Sequence, residues 1–365
     1  MNSLSEANTQ FLVDLFQQFR KSENNIFYSP ISITTALGMV LLGAKGNTAQ
    51  QINKVLHFDQ ITENTTEKAA TYQVDKSGNV HQQFQKLLTE LNKSTDAYEL
   101  KIANKLFGEK TYQFLKEYLD AMKKYYQTSV ESVDFAKAPE ESRKKINSWV
   151  ESQTNEKIKN LFPNKTIDRD TKLVLVNAIY FKGQWETKFN KEDTKEEKFW
   201  SNKDVQAKVL EMPYKAKDLS MIVLLPNEPD GLQKLEEKLT AEKLMKWTSL
   251  QNMREVRVNL HLPRFKVEEA YDLKDTLSTM GMVDVFGDAD LSGMAGSRDL
   301  VVSHVLHKAF VEVTEEGAKA TAVTVITTGV TSPPNEEFHC NHPFLFFIRQ
   351  NKTNSILFFG RFSSP

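Results

Sequence analysis

The chain has 365 residues, 40% of them hydrophobic, which is ample for a large core; Lys+Arg 47 against Asp+Glu 48 gives nucleic acid and anionic membranes no general attraction. One cysteine, Cys340, excludes an internal disulfide framework. No apolar run approaches a membrane span, and Met1-Asn2-Ser3-Leu4-Ser5-Glu6 lacks the basic start and apolar core of a conventional signal peptide, so a cytoplasmic protein is expected.

Phe11, Leu12, Leu15, Phe16 and Phe19 fall at helical spacing and predict an opening helix. Ser29-Pro30 reads as a cap and first-turn proline. The helix behind it carries Ala36, Leu37, Met39, Val40, Leu41 and Leu42, apolar nearly all round and therefore buried. Gly46-Asn47-Thr48 breaks that helix and another opens. Asp59 to Val80 is polar and reads as an exposed loop. A helix is predicted over Val80–Lys93, a strand over Tyr98–Phe107, a helix over Tyr112–Tyr126, a strand over Val130–Phe135 and a helix over Glu140–Gln153. Lys172–Gly183 reads as a strand. Val205–Tyr214 and Leu219–Pro226 form a hairpin that turns at Lys215–Asp218. Leu232–Thr248 reads as one helix, Glu255–Phe265 as a strand, Tyr271–Met280 as a helix, and Asp299–Thr314 as enough chain for two strands. Helices dominate the first half and strands the second, which argues α+β. With no internal repeat and no linker, residues 1–365 read as a single domain.

The stretch from Thr314 to Pro334 is peculiar. It is built from Ala, Thr, Val and Ile, which favour a strand, yet it is punctuated by Gly317, Gly329, Pro333 and Pro334 like a loop. Taken as a strand, one face carries Ala318, Ala320, Ala322, Thr324, Ile326 and Thr328; the other carries Lys319, Thr321, Val323, Val325 and Thr327. The first face is narrow enough to slide into a sheet already built. A slip of one residue would bury Lys319, so the register is specified. An exposed loop with a small-residue bias reads equally well from this stretch alone.

No catalytic residues are expected. The chain has no Gly-x-Ser-x-Gly elbow, no phosphate-cradling glycine loop and no His-Glu-x-x-His pair. His339, Cys340 and His342 alternate along a strand and do not converge on one ion, so no metal and no cofactor are expected. Nothing near Cys340 in sequence would activate its thiol. Arg143-Lys144-Lys145 reads as a solvated helix face. Sequons at Asn64, Asn92, Asn164 and Asn351 read as loop and cap asparagines.

Four separated blocks carry a resemblance. Glu315-Glu316-Gly317-Ala318 with the small residues after it, Phe338-His339-Cys340-Asn341-His342-Pro343-Phe344, Asn25-Ile26-Phe27-Tyr28-Ser29-Pro30-Ile31-Ser32, and Leu175-Val176-Asn177-Ala178-Ile179-Tyr180-Phe181-Lys182-Gly183 with Trp185 together resemble the serpins. The similarity covers essentially the whole chain and points to the intracellular, ovalbumin-like branch (clade B). It implies a serpin fold of three β-sheets with eight or nine helices and an exposed reactive-centre loop. It implies a monomer that inhibits proteases as a suicide substrate and is no enzyme: the loop is cleaved, a covalent complex forms, and the loop inserts as a new strand. Members of the branch also leave cells by unconventional routes.

By the same resemblance Glu315, Glu316, Gly317, Ala318, Ala320, Ala322 and Thr324 form the hinge. Counting from Gly317 places the reactive bond at Thr331-Ser332, with Val330 as the subsite contact. Ser29, Ser32, Asn177 and His307 match the polar network at the point where the main sheet opens, and Trp185 matches the tryptophan at its top. The loop offers no Lys, Arg or large aromatic between Lys319 and Asn335. Val330 suits papain-like cysteine proteases (cathepsins), and small residues suit elastase-like serine proteases. Resembled members also inhibit chymotrypsin-like enzymes.

Two departures keep a different class open, a non-inhibitory storage, binding or chaperone-like protein. Lys319, Thr321 and Val323 stand where inhibitory serpins mostly carry Glu or small residues. More seriously, only Ser201, Asn202, Lys203 and Asp204 separate Trp200 from Val205, where the family has about two strands' worth of chain. A splice-shortened form would look like this, and would be expected to expose sheet edges and apolar faces. The loop also ends early, with Asn335 directly after Pro334.

Overall fold

Helix α2 (Pro30–Leu41) has all of its residues buried, as expected for a helix apolar on every side. Ser29 caps it: the Ser29 side chain accepts from the Ser32 backbone N–H, and Pro30 occupies the first turn, where its missing N–H is no loss. Around it the computed structural model describes residues 3–63, 78–186, 194–202, 206–249, 254–314 and 336–365. Helix α1 (Ser3–Phe19) buries Phe11, Leu12, Leu15 and Phe16, the predicted stripe. Helices α3 (Gly46–Val55), α4 (Asp59–Glu63), α5 (Gly78–Leu91), α6 (Lys116–Tyr126) and α7 (Pro139–Gln153) complete the first half. Strands β1 (Ile26–Tyr28), β2 (Tyr98–Glu109) and β3 (Val130–Val133) lie among them.

The second half is mostly strand: β4 (Leu173–Gly183), β5 (Thr194–Asn202), β6 (Ala207–Pro213), β7 (Leu219–Pro226), β8 (Arg254–His261), β9 (Phe265–Asp272), β10 (His304–Val313), β11 (Glu336–His339), β12 (Phe344–Gln350) and β13 (Ser355–Phe362). Three short helices, α8 (Leu232–Lys238), α9 (Ala241–Trp247) and α10 (Lys274–Met280), interrupt them, giving ten α-helices among the described residues.

Several boundaries differ from the sequence reading, each for a physical reason. The single helix expected over 232–248 is two: Leu239 is extended, and Thr240 starts the second by accepting from the Lys243 N–H. Tyr112 to Leu115 is not helical, because Phe114 bridges Ala295 and the Leu115 N–H bonds Met294 O. Phe265–Asp272 is a strand of which the sequence reading gave only Phe265 and Tyr271-Asp272 to neighbouring elements and assigned 266–270 to none. Asp299–Thr314 supplies one strand, β10, and Asp59–Glu63 is helical.

Five strands form one sheet in the order β3-β2-β4-β10-β9, with β4 and β10 as parallel neighbours over nine residue pairs. Eight form the other, in the order β1-β13-β12-β7-β6-β5-β8-β11. Two of the three expected sheets are thus joined, and β5 is the joint. It pairs with β8 from Thr194 to Phe199 and with β6 from Lys198 to Asn202. The direct connection from Trp200 toward β6 therefore leaves β5 with partners on both sides. Leu115 and Val283 are the large hydrophobic side chains left exposed among the described residues.

One face of β4 and β10 (Ile179, Phe181, Ala309, Val311) packs on the eight-stranded sheet through Leu210, Met212, Val223 and Phe346. The opposite face (Val174, Val176, Ala178, Tyr180, Leu306, Phe310) lies under α7 and the segment after it, through Ile146, Val150, Ile158 and Phe162. Central strand β4 is thereby buried on both sides, which is why its sequence is a continuous apolar run.

Candidate functional site

Within that apolar run Asn177 is the exception, and the register explains it. Asn177 stands directly opposite Asn104 of β2 and directly opposite His307 of β10. The three side chains make one polar row across three adjacent strands, on the face toward the N-terminus of α2. Asn177 Nδ2 donates to Asn104 Oδ1 and to the carbonyl of Ser32 (3.1 Å), with Ser32 Oγ against the same nitrogen. Asn177 Oδ1 meets His307 Nδ1. The Ser29 backbone N–H donates to His307 Nε2 at 3.0 Å. Because Nε2 accepts, Nδ1 carries the proton and donates to Asn177.

Ser29, Ser32, Asn177 and His307 are all buried, and Asn104 is half-buried. Burial holds His307 neutral by pushing its pKa down to about 3. The row is a satisfied polar network in a low-dielectric core, strong while intact and costly when any one partner is lost. Its members lie on separate strands and on a helix terminus, so parting β4 from β10 must break the His307–Asn177 link. Neighbouring strands lie about 4.8 Å apart, and one interposed strand would roughly double that.

Trp185 lies eight residues beyond Asn177 along the chain, up to about 26 Å from the row. It is buried, stacks on Tyr214 with centroids 4.5 Å apart and planes 10° from parallel, and donates from Nε1 to the carbonyl of Thr314 at 2.8 Å. Thr314 is the last residue before the stretch 315–335. Gly183 is required beside this stack: a Cβ there would lie 2.4 Å from Tyr214 Cδ1. Trp185 thus ties the end of β10 to the turn that joins β6 and β7.

Sequence reasoning named Ser29, Ser32, Asn177, His307 and Trp185, and the fold brings the first four into one network with Trp185 at a separate point. It missed Asn104 and Tyr214. On its face of β2 Asn104 is the polar residue among Tyr98, Leu100, Ile102 and Leu106, a break in the alternation that could have singled it out, and the cross-strand register supplies its partners. The hinge residues Glu315, Glu316, Gly317, Ala318, Ala320, Ala322 and Thr324, the contact Val330, and the pair Thr331-Ser332 lie outside the described residues. His339 and His342 are partly exposed, and Cys340 is buried with its thiol pKa pushed up by burial. Among the described residues no group of three or more His, Cys, Asp or Glu is placed to hold a metal ion, and no helix is long and apolar enough to cross a membrane. A surface groove lined by Asp14, Gln50, Lys54 and His57 lies apart from the network. Of the sequons, Asn351 has its amide tied to Lys217 O and Ser220 Oγ, whereas Asn164 is exposed.

The family model described as "Serpin (serine protease inhibitor)" matches residues 6–207 and 201–365. The chain is a serpin. It is 80% identical to Serpin B3 and 79% identical to Serpin B4, both of Homo sapiens, over 390 positions covering all of each chain. Among solved structures, uncleaved ovalbumin superposes with a TM-score of 0.87 at 38% identity, with both chains covered completely. This serpin therefore belongs to clade B and has the α+β serpin fold, and the family is one of protease inhibitors, not enzymes. The two matched stretches of the family model meet at 201–207, the β5–β6 connection, where the chain is shorter than expected.

Proposed function

We propose that this serpin inhibits its target protease by insertion of the cleaved loop between β4 and β10, as a monomer and one folding unit, in a covalent complex with the protease. The observation that carries the reading is the parallel pairing of β4 and β10 at the centre of the five-stranded sheet. A strand returning from the end of β10 would run antiparallel to both. It would replace one parallel ladder with two antiparallel ones, which are slightly more stable per residue.

The register of insertion follows from the hinge. A two-residue turn at Glu315-Glu316 pairs Thr314 with Gly317 and brings Thr324 opposite His307. Gly317 gives the pivot conformational freedom. The Thr324 hydroxyl both donates and accepts, so it can take over the link between Asn177 and His307 that insertion breaks. Ala318, Ala320 and Ala322 precede it on the same inward face. Trp185 and its bond to Thr314 hold the point from which insertion starts.

The reactive bond is Thr331-Ser332, and Val330 is the residue that a papain-like protease reads. Cysteine cathepsins are the first target class, and elastase- or chymotrypsin-like serine proteases the second. The protein acts in the cytoplasm, with release by unconventional routes, and needs no cofactor, metal, nucleic acid or membrane. The fusion of two sheets through β5 supports inhibition over the non-inhibitory reading, because the shortened connection leaves β4, β10 and the Asn104–Asn177–His307 row intact.

The test is incubation with a papain-like cathepsin and with an elastase-like enzyme. A complex stable on a denaturing gel, together with a released fragment starting at Ser332, is the expected result. Cleavage to completion without any complex, or a cut outside Gly329–Pro333, would remove this reading.

A further inference from the structure

At the end remote from Trp185, β4 and β10 are joined by a side chain as well as by backbone. The last paired positions there are His304 and Val174. One residue further out, the Ser303 N–H donates to the Leu173 carbonyl at 2.8 Å, and Ser303 Oγ accepts from the Lys172 N–H at 3.0 Å. One serine thus holds two consecutive residues at the entry to β4, its hydroxyl satisfying a backbone donor that the ladder no longer reaches. The Lys172 carbonyl accepts from the Glu109 N–H at 2.8 Å, which anchors the same point to β2. Lys172 Nζ also reaches across to Asp299, at 3.2 Å, and donates to the Tyr112 hydroxyl at 3.1 Å. That ion pair faces solvent and adds little on its own, so Ser303 is the main fastening.

We infer that Ser303 is a clasp whose release sets how deep an inserted strand can run, and so is a positioning residue for trapping. The inference deepens the proposed function and rests on its register. Pairing Thr314 with Gly317 brings Thr327 opposite His304, and Thr328 to Thr331 opposite Ser303 to Leu300. Insertion as far as Thr327 parts only the regular ladder of β4 and β10. The four residues from Thr328 to Thr331 must pass the point that Ser303 closes, a further travel of about 13 Å. With the clasp shut, the acylated residue would stop short by that distance. The groups freed when it opens have successors. An incoming antiparallel backbone would offer a donor to Leu173 O and acceptors to the Ser303 and Lys172 N–H groups. The clasp is therefore a barrier on the path, not a lasting cost, and acts on the rate of the final stage of insertion.

The test separates depth from insertion itself. Two synthetic peptides, one copying residues 317–327 and one copying residues 317–331, are incubated with the intact full chain. The rate at which each converts the protein to a heat-resistant form is followed on a native gel. Ser303→Ala should speed conversion by the longer peptide about fivefold, the factor that one net hydrogen bond corresponds to, and leave the shorter within about twofold. Ser303→Thr keeps the hydroxyl and should keep the wild-type rate with both peptides. Lys172→Met, the second variant should Ser303→Ala fail to fold, should give a smaller rise with the longer peptide only. Equal effects on the two peptides, or none on the longer one, would overturn the inference. Failure of both peptides to convert the wild type would remove insertion itself, and the clasp with it. A protein that shows the length-dependent effect but traps no protease would refute the proposed function and leave the clasp standing.

Discussion

His307→Leu is the sharpest perturbation of the polar row, because the two side chains are similar in size and leucine neither bonds nor titrates. The substitution orphans two buried groups, the Ser29 N–H and Asn177 Oδ1. Each unsatisfied buried group costs about 1–3 kcal/mol, so the intact protein should lose about 2–6 kcal/mol at neutral pH. For a chain of this length that is a fall of about 3–8 °C in melting temperature. The pH dependence is the more discriminating readout. His307 has its folded pKa lowered to about 3 by burial, against an unfolded value of 6.5. The unfolded state therefore binds the extra proton between these values. Its contribution to stability is complete above about pH 6.5 and is lost as pH falls toward 3, at about 1.4 kcal/mol per unit. From pH 7.5 to 5 the wild type should lose about 2 kcal/mol that the leucine variant does not. The gap between the two proteins in urea unfolding should narrow by that amount. A gap that stays constant over this range would show that His307 is not held neutral by burial.

Ala216 (φ 68) and Lys217 (φ 61) form the left-handed turn between β6 and β7, where glycine is favoured. Ala216→Gly should raise the unfolding free energy by about 1 kcal/mol, and a loss of stability in urea would refute the assignment of strain. Ala320→Arg and Thr324→Arg should each abolish complex formation while the loop is still cleaved, because an unpaired charge would have to enter the sheet. Lys319→Glu, on the outward face, should leave the complex on a denaturing gel. Identical behaviour of the two classes would contradict the register.

Much of the fold was legible because local and tertiary signals agree in it. Ser29-Pro30 marks the start of α2 by capping chemistry alone, and β4 was placed as a central strand through the family resemblance. The β6–β7 hairpin announced itself by alternation on either side of a polar turn. Strand β9 was less visible, because Phe265, Val267 and Tyr271 are spaced with charges at an edge and only pairing with β10 fixes them. The break at Leu239-Thr240 turns on a threonine whose cap is indistinguishable in sequence from a mid-helix residue. For the site, Asn177 and His307 were named through the family resemblance, whereas Asn104, the polar residue on an otherwise apolar strand face, joins them only through the β2–β4 register. The effect of the short connection after Trp200 was illegible for the same reason: the loss of two strands predicts open edges, and only the double pairing of β5 shows how the sheets close.

The central claim is that the intact chain stores a conformation its own cleaved loop can improve. It is tested most directly by nicking the protein near Thr331 and comparing thermal unfolding of the intact and nicked forms side by side. Insertion gives the nicked form an extra ladder in the sheet, with each hydrogen bond contributing about 1 kcal/mol net, together with the burial of Ala318, Ala320, Ala322 and Thr324. The nicked protein should therefore melt well above the intact one. Equal melting temperatures would contradict insertion between β4 and β10 and favour the non-inhibitory reading.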